Sequence, residues 1–220
     1  LTGEEEALQN LIKKHKANPK DFEIVPASSF EDSAKKAVQV VASGKAEAIM
    51  KGLTPSPTFL KAILTDGAGL KIEGNLLAHV ALMKVPAWHK MFLASDCAVN
   101  IKPSAQEKKQ IIGYNIKVAK KLGMVAPKVA LVTASEVVNP KMKDTLDVEE
   151  ILTMQAKGEF PELLDGVLGG PFALDNAISK EAAAIKKVTH PGAGEADILI
   201  LPDLSAANIF YKSLIFYAKA

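Results

Sequence analysis

"ADILILPDLSAANIFYKS", residues 196–213, joins a short apolar run, Ile198 to Leu201, to a polar loop that turns into a helical pattern after Pro202. An apolar run that is continuous rather than alternating is the pattern of a strand covered on both faces. The same junction occurs earlier, in "AEAIMKGLTPSPTFLKA" (46–62), where an apolar run, a loop with hydroxyls and a helix with a lysine one turn in follow one another. Further β-prone runs are "FEIVP" (22–26), "VALMKV" (80–85), "MFLASD" (91–96), "KVALVTA" (128–134), "DGVLGG" (165–170) and "DILILP" (197–202). Helical periodicity fills 4–16, 31–43, 57–65, 105–122, 146–157, 175–187 and 205–219. Alternation of this kind predicts an α/β fold with a mostly parallel sheet and crossover helices. One pair should differ: only "PAWHK" separates the runs at 80–85 and 91–96, which suits an antiparallel hairpin.

Composition narrows the class. At 220 residues and 48% hydrophobic content the chain can bury a large core. Charged residues make up 24% and the formal net charge is +2, which gives no reason to expect nucleic acid or a membrane surface. No apolar stretch approaches a membrane span, and the N-terminus does not read as a signal peptide. A single cysteine, Cys97, rules out an internal disulfide framework and fits a reducing, cytoplasmic setting. Leu1 at one end and "IFYAKA" at the other, inside a helical pattern without a breaker, suggest a longer protein shortened at both ends. The polar stretch "NPKMKDTLD" (139–147) is a candidate domain junction.

Ligands of an open parallel sheet bind beyond the carboxyl ends of its strands, so the chemistry should be sought in the loops there. After Met50, Ser56 is positioned to cap a helix whose first turn holds Pro57 and Thr58, with Lys61 close by. After Leu201, Ser205 can cap, and Asn208, Tyr211 and Lys212 follow. Asp96 ends one strand and Asn100 lies in the loop after it, before a Ser104–Glu107 capping box. Hydroxyls and an ammonium at a helix start suit a phosphate-sized anion. The Ser, Thr, Asp and Asn residues among them also fit plain capping, and Asp203 fits a turn. The histidines show no metal-ligand spacing, and His79 reads as a half-buried polar contact. Cys97 beside Asp96 is not an activated thiolate, because the carboxylate raises its pKa. No P-loop or G-x-G-x-x-G follows a strand.

The motifs "KGLTPSPTFLKAIL", "LAHVALMKVP", "SDCAVNIKPSAQEKKQII", "VNPKM", "ALDNAISKEAA", "GEADILILPDL" and "NIFYKSL" stand in an order and spacing that resemble the phosphate acetyl/butyryltransferase family, most closely its phosphate butyryltransferase branch. The resemblance implies reversible transfer of a short acyl group, butyryl or related, between CoA and inorganic phosphate. It implies an isocitrate/isopropylmalate dehydrogenase-like fold of two α/β domains around a cleft, the first from residues 1–100 and 197–220 and the second from 101–196. It implies a homodimer, CoA or acyl-CoA and phosphate as substrates, and no metal or redox cofactor. Ser56 and Lys61 lie where the family carries a Ser or Thr and an Arg, with Thr58 in the same loop. Asp96 and Asn100 match its "GDCAxN" pattern, and Asn208, Tyr211 and Lys212 its "GNxxYK" pattern. These eight residues are the expected substrate-binding set. The family's Ser-Arg pair and catalytic Asp are expected beyond Ala220, so no catalytic residue is assigned within the chain. Four positions depart from the family: Lys61 replaces Arg, Ala78 replaces Ser, Gly169 replaces Asp and Ala207 replaces Gly. Such departures also fit a non-catalytic acyl-CoA-binding module of the same fold. A dehydrogenase of that fold would need a carboxylate cluster for its metal, which the sequence lacks.

Overall fold

Ile198–Ile200, the core of the quoted stretch, is the middle strand of a five-stranded sheet. The computed structural model describes residues 1–65, 67 and 70–220, and the chain divides into two compact units, Leu1–Asn75 and Leu76–Ala220. In the first unit, β1 (Thr2–Gly3) pairs in parallel with β2 (Val25–Pro26). Helices α1 (Glu5–Lys14), α2 (Phe30–Ala42) and α3 (Ser56–Leu64) accompany them. Side-chain caps explain where two of these begin: Glu4 accepts from Ala7 N at 2.7 Å, and Ser29 from Asp32 N at 3.1 Å.

The second unit contains β3 (Ala81–Lys84), β4 (Met91–Ser95), α4 (Ala105–Lys121), β5 (Lys128–Val132), α5 (Lys143–Ala156), β6 (Val167–Phe172), α6 (Leu174–Ile178), α7 (Lys180–Ile185), β7 (Ile198–Ile200) and α8 (Leu204–Phe216). The strand order is β3-β4-β7-β5-β6, antiparallel between β3 and β4 and parallel elsewhere. The expected hairpin is therefore present. Successive residues of β7 feed opposite faces. Ile198 and Ile200 join Ile111, Ile112 and Ile116 of α4 and Ile151 of α5 in one core cluster. Leu199 joins Phe92, Phe172 and Ala207 in the other, with Phe210 packed against it. Both faces are covered, which is why this strand is apolar throughout.

Several sequence expectations are corrected. Residues 46–50 form no strand: Met50 is 94% exposed, and a strand needs a ladder partner. Of "FEIVP" only Val25–Pro26 is paired. The helix expected over 175–187 is two helices, because Ser179 takes extended backbone (φ −123°, ψ 117°) and caps the second by accepting from Ala182 N at 3.2 Å. The helix expected from 146 begins at Lys143. Within the second unit, β7 lies between β4 and β5 and joins segments from before and after residue 100 into one sheet. The polar stretch 139–147 leads into α5 inside the second unit and is no unit boundary.

Candidate functional site

The chain passes from β4 to β5 through α4, and the slot between those two strands is filled later by β7. The carboxyl ends of β4 and β7 are thus neighbours at a switch in strand order, where parallel sheets place ligands. Asp96 follows β4, and α8 starts directly after β7.

Asp96 is 4% exposed, and its carboxylate is fully engaged. Oδ1 accepts from the backbone N–H of Ala98 and Val99, both at 2.9 Å. Oδ2 accepts from His79 N at 3.1 Å and from Asn100 Nδ2 at 2.5 Å. Four donors match the lone-pair capacity of a carboxylate, so Asp96 shapes this loop rather than offering a free base. Asn100 Nδ2 also donates to Leu77 O at 2.9 Å, and Ser95 Oγ donates to His79 O at 2.5 Å. The β4 exit and the segment entering β3 are thereby locked together. Asn208 Nδ2 donates to Cys97 O at 3.0 Å, fastening α8 to the same loop. Tyr211 meets the His79 ring edge-on, with centroids 5.9 Å apart and planes at 77°. Lys212, one helical turn beyond Asn208, is exposed.

Four predicted site residues, Asp96, Asn100, Asn208 and Tyr211, therefore converge on one sheet end, with Lys212 on the same helix. The caps are not as expected. Asp203 caps α8, its Oδ1 accepting from Ala206 N at 3.0 Å, and Ser205 is exposed. A carboxylate at the helix start also complements the dipole, which favours Asp203 over the neutral hydroxyl. Ser104 and Glu107 form the predicted capping box.

In the first unit, Ser56 is the first residue of α3 rather than its cap; Pro55 holds the cap position without a side-chain bond. Thr58 and Lys61 line a cavity of about 940 Å³ between α2 and α3, and Ser56 does not. Lys35, Val38, Gln39 and Ala42 form the opposite wall. Their i, i+3, i+4 and i+7 spacing marks one helix face, a signal legible in the sequence. The volume suits a small-molecule ligand.

Cys97 is completely buried, and burial, with the Asp96 charge adding to it, pushes its thiol up to about 12. It is no nucleophile at neutral pH. Among the described residues, no three His, Cys, Asp or Glu side chains gather as a metal site. Among the described residues, no helix is long and apolar enough to cross a membrane.

A family model described as "Phosphate acetyl/butaryl transferase" matches residues 2–220. The chain belongs to the phosphate acetyl/butyryltransferase family. It is 40% identical over 220 residues to a "Probable phosphate butyryltransferase" of Bacillus subtilis (strain 168), covering all of this chain and 72% of the relative. Identity to the phosphate butyryltransferase of Clostridium beijerinckii is 38%, with the same coverage. The crystal structure of a branched-chain phosphotransacylase from Enterococcus faecalis V583 superimposes with a TM-score of 0.80 at 32% identity, covering 100% of this chain and 85% of that one. Two departures from the family pattern acquire a local explanation. At Gly169, a Cβ would fall 2.3 Å from His190 Cε1, so the His190 ring fills the space that any side chain there would need. Ala207 is fully buried in the second core cluster, where its methyl group packs.

Proposed function

We propose that this protein transfers a short acyl group, butyryl or a branched relative, reversibly between CoA and inorganic phosphate. Phosphate acyl transfer is the function of the family to which the chain belongs, and the match over residues 2–220 carries the reading. The non-catalytic module is the less favoured alternative, because the named relatives are transferases. A phosphate oxygen attacks the thioester carbonyl, a tetrahedral intermediate forms, and the CoA thiolate leaves with the acyl phosphate as product. The thioester supplies the driving force, so the reading includes no metal or redox cofactor. The step needs cations and N–H donors for phosphate and a developing oxyanion.

In this reading Thr58 and Lys61, on the α2–α3 cavity, contact CoA or phosphate, as does Ser56 at the start of α3. Asn208, Tyr211 and Lys212 present donors and charge beside the β4 exit, and Asp96 and Asn100 hold that exit in shape. Lys61 acts as a point charge where an Arg would bind bidentately. The reading extends to what the family resemblance implies: an isocitrate/isopropylmalate dehydrogenase-like pair of domains, a homodimer and a cytoplasmic setting. The intact gene product should release CoA thiol from butyryl-CoA only when phosphate is supplied. Release at the same rate without phosphate, or none with it, refutes the proposal.

A further inference from the structure

His79 stands beside the β4 exit, half-buried. Its backbone is held on both sides: the N–H donates to Asp96 Oδ2 and the carbonyl accepts from Ser95 Oγ. Its ring lies edge-on to Tyr211. Of the two ring nitrogens, only Nδ1 is enclosed without a hydrogen-bond partner. A neutral imidazole has one N–H donor and one acceptor nitrogen, and which nitrogen carries the proton follows from the surroundings. Placing the proton on Nδ1 would bury an orphaned donor, the rarest kind of unsatisfied polar group. That cost assigns the proton to Nε2.

The neighbours limit what that N–H can be for. The Asp96 carboxylate is saturated by four protein donors, and both N–H bonds of Asn100 are taken by Asp96 and Leu77. Asn208 keeps one amide N–H after its bond to Cys97 O. Among the side chains already placed at this sheet end, the His79 Nε2–H, that second Asn208 N–H and the Tyr211 hydroxyl can still donate. Three neutral donors, with the Lys212 ammonium on the same helix, suit an anionic oxygen.

We propose that His79 is held as the Nε2–H tautomer and donates that hydrogen bond to a phosphoryl oxygen of the substrate, making it a phosphate-binding residue of the acyl transfer. The inference rests on the proposed function for the identity of the anion. The tautomer does not rest on it.

Nitrogen-15 NMR of the histidine rings in the parent protein, well above the ordinary histidine pKa of about 6.5, should show His79 protonated on Nε2. Titration with inorganic phosphate should then shift that Nε2–H resonance. In steady-state assays, His79→Ala should raise the KM for phosphate by about ten- to a hundredfold, as for loss of one charge-assisted hydrogen bond. The KM for butyryl-CoA and the melting temperature should stay near the parent values. His79→Gln, which keeps an N–H donor near the Nε2 position, should restore part of the loss. An Nδ1–H tautomer, a resonance unmoved by phosphate, or equal increases in both KM values would overturn the proposal. If the parent lacks phosphate-dependent activity, the proposed function fails, while the phosphate titration still decides whether His79 binds the anion.

Discussion

The ion pair between Lys108 of α4 and Asp147 of α5 gives a prediction that can be worked from the structure. Nζ and Oδ2 are 2.8 Å apart, and the two side chains are only 6% and 10% exposed. Asp147 has a second partner, Lys143, at 2.6 Å, but that side chain is 78% exposed. Burial pushes the Asp147 carboxyl up, and the bonds from Lys108 and Lys143 outweigh it, leaving it below its ordinary 3.8. Asp147→Leu would strand a buried ammonium and should cost about 3–5 kcal/mol. Lys108→Met should cost less, about 1–3 kcal/mol, because Lys143 still serves the carboxylate. The double variant Lys108→Met/Asp147→Leu removes both charges and fills the space, so its stability should return close to the parent's. Trp88, the sole tryptophan, lies in the second unit against Phe92, so its fluorescence during urea unfolding reports on the unit that holds the pair. The sign with pH is fixed. A depressed carboxyl contributes stability above its unfolded pKa and loses it as pH falls through the folded pKa, so the parent should weaken below about pH 4 and the double variant less. Single-variant costs that simply add in the double variant would refute the coupling.

Other expectations follow from single sites. Gly169→Ala should destabilise by about 1–3 kcal/mol through overpacking against His190, whose Nδ1 accepts from Gly192 N at 3.1 Å and whose ring meets Phe172, so it cannot swing away freely. The same substitution in a His190→Ala background should cost less, as read from melting temperatures. Lys212→Ala should raise the KM for phosphate more than that for acyl-CoA; equal changes would mark a structural lysine. Cys97, with a thiolate fraction on the order of one in ten thousand at pH 8 given its raised pKa, should resist alkylation in the folded protein and react on unfolding, as seen by mass spectrometry.

Much of the second unit was legible because its signals are local. The apolar run at 198–201 carried its own burial pattern, the five residues of "PAWHK" forced a hairpin, and Ser104 and Glu107 closed their box as spaced. What escaped depended on distant partners or on competition. The stretch 46–50 has the composition of a strand but no ladder to join. Asp203 outcompeted Ser205 for one cap position. The placement of β7 between β4 and β5 follows from packing two faces at once, and with it the grouping of segments into units. At the candidate site the residue types were readable but their states were not. The sequence places Asp96 at a strand end but does not show the four donors that occupy its carboxylate, and the state of His79, a lone histidine, depends on an enclosed nitrogen.

Acyl transfer to phosphate is tested most directly by identifying its product. Phosphorus-31 NMR of the intact gene product with butyryl-CoA and inorganic phosphate should show an acyl phosphate resonance growing in step with CoA thiol, one for one. Thiol release accompanied by free butyrate, with no acyl phosphate at any time, would show that water is the acceptor and contradict the account.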